Sequence, residues 1–246
     1  MRARKFVSVK RRTRRIDLAV LFATAINLCF LLTVAAGETF TGQAVNLKGG
    51  LEYVEYHTVE YKNGEVSRSE TIYYDPNQQK IGELISEYSH GPQFGSYDFR
   101  DIRAQYEDGA EVKIDQIRLF RKEGPDNHVD AKILPKKPDQ IVGQGFHQFI
   151  VHNLEPIAQG EILHVRLVFP SRLDQFKFRI RKRKIEGDTL YIRLEIDNWF
   201  LRLFAPHVDA EYDLRTRRLL RYVGISNLED VSGKHKKVTI TYSYKS

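Results

Sequence analysis

Apolar and polar side chains alternate with a period of two over most of the chain, which is the pattern of β-strands. The clearest pair covers residues 51–62 and 65–74, and Asn63-Gly64 between them fits a two-residue hairpin turn. Eight further segments have strand character, at 80–89, 110–122 (one strand or a bent pair), 161–169, 174–185, 189–197, 207–213, 218–224 and 236–244. The last three form an antiparallel meander.

One segment has helical spacing instead. Its apolar residues are Phe146, Phe149, Ile150, Leu154 and Ile157, which predicts one amphipathic helix over about 145–156, ending near its proline. Residues 123–139 hold three prolines and are predicted to be the longest irregular connection. The fold class is therefore mainly β (α+β): a large curved antiparallel sheet or half-barrel with one or two covering helices.

The N-terminal residues resemble an export leader. Eight Lys or Arg lie within residues 2–15, an apolar run covers 18–36, and small residues close that run. A basic region, an apolar region and a small-residue end make up a secretory signal. The run fits both a cleaved leader and a retained N-terminal apolar helix, and both interpretations stay open. We predict a leader at 1–37 and a single β-rich domain at 38–246, located in the periplasm or an equivalent extracytoplasmic compartment. An uncleaved segment 18–36 would anchor it in the inner membrane.

The leader accounts for the basic character of the chain. The net charge is +7, but eight of the 39 Lys and Arg and one of the 32 acidic residues lie in 1–37, which leaves 31 of each sign beyond it. That balance argues against a nucleic-acid partner. The balance hides an asymmetry, since residues 38–127 carry a net −7 and residues 128–246 a net +7. Either the two halves attract each other or one face of the protein is basic.

Catalytic and metal-binding patterns are not evident. Cys29, the only cysteine, lies in the leader, so the remaining chain has no thiol nucleophile and no disulfide. The histidines are scattered, and no metal site or cofactor is predicted. Asp98 and Asp101 flank Arg100 and fit either a general acid–base pair or a local ion-pair network. We therefore predict that the protein is not an enzyme.

The C-terminal third resembles a known group of proteins. The segments 212–213, 217–227, 233–234 and 238–242 are similar to the closing strands of uncharacterised bacterial periplasmic proteins related to the lipoprotein-carrier superfamily. That resemblance implies a half-open β-barrel that holds acyl chains on its concave side. It implies no catalytic residues.

Two sets of side chains are candidate binding residues. Aromatic residues would form an apolar pocket, with ordinary core as the alternative: Phe146, Phe149, Phe176, Phe178, Trp199, Phe204, Tyr212 and Tyr222. A basic run would contact an anionic surface, with a solvated sheet face as the alternative: Lys177, Arg179, Arg181 and Arg183. The leading hypothesis is an exported, non-enzymatic binding or carrier protein for an apolar or lipid-like ligand. The alternative is a membrane-tethered structural or interaction protein whose partner is an envelope component.

Overall fold

A computed structural model describes residues 37–124, 128–200, 202, 207–229 and 235–245. The predicted leader and its predicted apolar helix lie outside these residues, apart from Gly37, which begins the first strand. Within the described residues, no helix has the length and apolar character needed to cross a bilayer.

The described chain is built of fifteen strands and two short α-helices. In chain order the elements are β1 (Gly37–Asn46), β2 (Leu51–Lys62), β3 (Glu65–Tyr74), β4 (Lys80–Glu87), β5 (Ser96–Asp101), β6 (Tyr106–Val112), β7 (Gln116–Glu123), β8 (Val129–Pro135), β9 (Gln140–Val142), α1 (Gly145–His152), α2 (Leu154–Gln159), β10 (Leu163–Phe169), β11 (Asp174–Glu186), β12 (Thr189–Ile196), β13 (Val208–Asp213), β14 (Leu219–Glu229) and β15 (His235–Tyr244).

All fifteen strands belong to one large, curved, open sheet. Its order is β8-β7-β6-β5-β4-β3-β2-β1-β15-β14-β13-β12-β11-β10-β9, and every pair is antiparallel except β9–β10. The first half of the chain therefore forms one half of the sheet and the second half forms the other, joined where β1 pairs with β15. The sheet half formed by β1–β7 therefore comes from the net-acidic part of the chain, and the half formed by β9–β15 comes from the net-basic part.

Local turn chemistry explains the best-predicted element. The hairpin β2–β3 has the predicted bounds, and its turn residues Asn63 and Gly64 have φ angles of 55° and 82°. A type I′ turn needs positive φ at both central positions, which Asn and Gly tolerate. The predicted hairpin and the predicted C-terminal meander are both confirmed.

Three local predictions were wrong. The helical segment is two helices, because Asn153 leaves helical geometry (φ −115°, ψ 16°) and its side-chain amide bonds the Phe149 carbonyl. Pro156 does not end the helix but lies in the first turn of α2, where proline is tolerated. The segment predicted as irregular contains β8, an edge strand that ends at Pro135. The 110–122 segment, predicted as one strand or a bent pair, lies in the antiparallel pair β6 and β7.

The apolar clusters of buried side chains lie on one face of the sheet, here called the inner face. On it, Ile150, Leu154 and Ile157 of the helices pack with Ile180 and Ile192 of β11 and β12. A second cluster covers β1–β5, β14 and β15.

A third apolar cluster joins the two ends of the sheet. Ile117 and Leu119 of β7 meet Val142 of β9 and Val168 of β10. The sheet therefore curves until side chains from its opposite ends are in contact, and α1 begins directly beyond this junction.

Candidate functional site

A chain of polar side chains crosses the inner face between the apolar clusters. The Glu55 carboxylate lies 3.0 Å from His57 Nε2, and His57 Nδ1 lies 2.9 Å from the Thr71 hydroxyl. The Gln144 amide donates to that hydroxyl at 2.9 Å. Alternation along β2 and β3 places Glu55, His57 and Thr71 on the buried face although all three are polar.

Gln144 connects this chain to β4. It occupies the position before α1, and its side-chain oxygen accepts hydrogen bonds from Ser69 at 2.5 Å and Ser86 at 3.4 Å. Ser69 in turn lies 3.2 Å from the Tyr88 hydroxyl. Every buried side-chain polar atom in the described residues has a hydrogen-bond partner, which is what makes a polar interior tolerable.

The order carboxylate, imidazole, hydroxyl is that of a Glu–His–Thr nucleophile relay. A nucleophile must reach an electrophile in a substrate, whereas Thr71 is 0% exposed and its hydroxyl is already held by Gln144. We therefore interpret the relay as a structural link that fixes the start of α1 against β2, β3 and β4.

This link predicts a specific loss of stability. Replacing Gln144 by alanine (Q144A) removes a donor and an acceptor from a buried network, so we expect the free energy of unfolding to fall by about 2 kcal/mol. Gln148 lies one helical turn later and serves as the matched control, since no bond of its side chain contributes to the network. Urea unfolding measures both variants, and equal losses in Q144A and Q148A would contradict the structural role.

Aromatic and histidine side chains form the wall beside this chain. We call Phe40, His57, His147, Tyr212, Tyr242 and Tyr244 the interior cluster. The Phe40 ring stacks on His57 with centroids 4.3 Å apart and on Tyr244 at 4.7 Å, and it meets Tyr242 edge-on at 6.0 Å. These separations are those of favourable aromatic pairs.

α1 contributes the histidine on the other side. His147 stacks on Tyr212 with centroids 5.7 Å apart, and its Nδ1 lies 3.2 Å from the Tyr212 hydroxyl. Burial, with a smaller contribution from the nearby His57, lowers the pKa of His147 to about 4. At neutral pH the site therefore presents an uncharged imidazole.

The interior cluster combines accessible surface with strong desolvation. Five of its six side chains keep some accessible area, and Tyr212 is buried. Desolvation nevertheless raises the pKa of Tyr242 and of Tyr244, with nearby carboxylates adding to the effect. The interior cluster therefore places aromatic rings beside imidazole and carboxylate groups.

The predicted aromatic pocket residues separate into distinct places. Phe146, Phe149 and Phe178 pack with Tyr212 in the cluster under the helices, whereas Tyr222 packs against the β1–β5 cluster. Phe176 and Trp199 lie on the surface, with 44% and 75% of their areas exposed. Phe204 lies outside the described residues. Ligand binding by this set stays a prediction.

The basic run lies on the outer face of β11. Phe178 and Ile180 face inward, and the alternating Arg179 and Arg181 face outward with Lys177 and Arg183. Its contact with an anionic surface also stays a prediction.

Asp98 and Asp101 do not converge on one site. Asp101 is buried and accepts hydrogen bonds from the amides of Arg103, Ala104 and Glu229, so it fixes loops. Asp98 lines an outer depression of about 370 Å³ on β4–β8 with Glu111 and Arg118. A second depression of about 80 Å³ lies between β2, β14 and β15. None of the predicted aromatic pocket residues lines either depression.

Sequence reasoning missed Glu55, His57, Thr71 and Gln144. The available signal was polar residues at inward positions of β2 and β3, which alternation alone could not distinguish from a solvated face. The glycines around Gln144 gave the second signal. Gly145 lies where a Cβ atom would stand 2.4 Å from the Gln93 carbonyl oxygen, so the backbone must approach closely there.

Comparisons with known proteins add little to these geometric findings. No protein-family model matches the chain, and no curated protein matches it. Among solved structures, the chain is similar to a DUF1329 family protein from Desulfovibrio piger, with 11% identity, 86% of this chain and 85% of that chain covered, and a TM-score of 0.26. DUF1329 is an uncharacterised family.

Proposed function

We propose that this chain is an exported, non-enzymatic binding or carrier protein for an apolar or lipid-like ligand, and that the ligand binds at the interior cluster. The observation that supports the proposal is the accessible but desolvated set of aromatic side chains on the inner face. Ligand sites combine apolar walls with a few polar groups that orient the ligand. The interior cluster has both.

The polar groups suit an apolar molecule with one polar end. Aromatic rings of Phe40, Tyr242 and Tyr244 would contact the apolar part, and His57 would meet the polar end. Glu55 accepts from or pairs with His57 and so fixes the ring orientation. The basic leader and apolar segment support an extracytoplasmic location, where such a ligand would be collected or delivered.

A single aromatic residue provides a test. Replacing Phe40 by serine (F40S) removes the ring that stacks on both His57 and Tyr244, so we expect a fluorescent fatty-acid probe to bind about ten-fold more weakly, a loss of about 1.4 kcal/mol. The measurement is a fluorescence titration of the wild-type and variant proteins.

Tyr56 provides the matched control. It lies next to His57 on β2 but faces outward, is 44% exposed and packs on Tyr74. Y56S should bind the probe as the wild type does. Equal weakening in both variants, or no probe binding by the wild-type protein, would favour the structural or interaction role in the envelope instead.

A further inference from the structure

The outer face of the second half of the sheet carries more cations than anions. Glu195 is only 5% exposed, and three guanidinium groups surround its carboxylate: Arg179 at 2.6 Å, Arg181 at 2.9 Å and Arg202 at 3.7 Å. Beside it, Asp209 is contacted by Arg193 at 2.7 Å and Arg183 at 3.4 Å. Five arginines therefore share two carboxylates, and Lys177 adds an exposed cation on the same strand.

The carboxylates organise these arginines without neutralising them. Burial would raise the pKa of Glu195, but hydrogen bonds from Arg181 and Arg179 together with their charges hold it below its ordinary value. Glu195 is therefore ionised at neutral pH and fixes the guanidinium groups in place. Each guanidinium has five N–H donors, so donors remain for an external anion such as a phosphate group.

An exposed aromatic pair lies at the edge of this basic face. Trp199 is 75% exposed and Phe200 is 54% exposed, and their rings meet edge-on at 5.9 Å. The amide of Asp197 donates to the Lys177 carbonyl, and Arg202 donates to the Ile196 carbonyl. These bonds hold the segment against the ends of β11 and β12.

We propose that this surface, formed by Trp199, Phe200 and the outward arginines of β11 and β12, docks on an anionic lipid bilayer. Aromatic rings with an apolar body are favoured at the membrane–water interface, and arginines bind lipid phosphates. The surplus of positive charge is complementary to anionic headgroups and adds attraction for each cation near the surface. The proposal is independent of a ligand at the interior cluster, since it rests on the opposite face of the sheet.

Trp199 is the only tryptophan of the chain, so its fluorescence reports on this surface alone. The basic leader would recruit the full chain to anionic vesicles, so a change in Trp199 emission, and not co-sedimentation, is the readout for docking of this surface. We expect the emission of the full chain to shift to shorter wavelength with vesicles of equal parts phosphatidylcholine and phosphatidylglycerol, and brominated acyl chains to quench it. Vesicles of phosphatidylcholine alone should produce little shift.

Charge variants test the role of the basic face. K177Q/R183Q removes two outward cations and should raise the lipid concentration for half-maximal shift at least about ten-fold. K48Q/K113Q removes two exposed lysines elsewhere and should leave it unchanged. F40S should also leave it unchanged, which separates this proposal from the proposed ligand site. Co-sedimentation without a change in Trp199 emission, or an equal shift with phosphatidylcholine alone, would overturn the proposal.

Discussion

Replacing Gly145 by alanine (G145A) is expected to lower the free energy of unfolding by about 3 kcal/mol. A Cβ atom at this position would lie 2.4 Å from the Gln93 oxygen and 2.6 Å from the Gln93 carbonyl carbon, and backbone atoms cannot move aside as a flexible side chain does. The same Gln93 oxygen accepts the Val142 amide at 3.0 Å, which ties the β4–β5 loop to β9. Alanine must therefore push α1 away from this junction.

Gly37 gives the control for G145A. A Cβ atom there would meet its nearest neighbour, the Val59 oxygen, at 3.7 Å, which is an ordinary contact. G37A should unfold like the wild type in urea. Alanine also favours helix over glycine by up to about 1 kcal/mol, so the measured loss in G145A understates the clash. A G145A protein of wild-type stability would contradict the observed seating of α1.

The second large effect is a dependence of stability on pH caused by His147. Its pKa is about 4 in the folded protein against 6.5 ordinarily, so between these values the unfolded chain binds a proton that the folded chain does not. The contribution of His147 to the free energy of unfolding is therefore full above pH 6.5 and is lost as the pH falls toward 4. The loss amounts to about 3 kcal/mol.

The H147Q variant isolates this contribution. Glutamine can still bond the Tyr212 hydroxyl but does not titrate, so the stability of the wild type relative to H147Q should fall by about 3 kcal/mol between about pH 7 and about pH 4. Asp108 changes stability with pH in the opposite direction, because burial raises its pKa to about 6. Both proteins contain Asp108, so its effect cancels in the comparison. Parallel pH profiles for the two proteins would show that the folded protein does not lower the pKa of His147.

Sequence patterns predicted the elements that depend only on residues close together in the chain. The hairpin β2–β3 follows from alternation and the Asn63-Gly64 dipeptide, and the meander follows from the same alternation with short turns. The edge strand β8 was missed, because its exposed and charged side chains resemble a loop and its proline normally counts against a strand.

The inner polar chain could not be predicted for a different reason. The contact of Gln144 with Thr71 joins residues 73 positions apart in sequence, and its existence depends on the curvature that brings α1 to the inner face of β3. Glu55 and His57 occupy inward-facing positions of β2, but their side chains are polar, so the sequence pattern does not identify them as interior residues. The basic run, in contrast, was recognisable from spacing alone, although the buried Glu195 that organises it was not.

The most direct test of the proposed ligand-binding function is mass spectrometry of the full-length protein isolated gently from its native envelope, before and after organic extraction. The account predicts an apolar or lipid-like molecule in near-stoichiometric amount in the wild-type protein and in Y56S, and much less of it in F40S. A wild-type protein that carries no such molecule, or equal lipid content in the wild type and F40S, would contradict binding at the interior cluster.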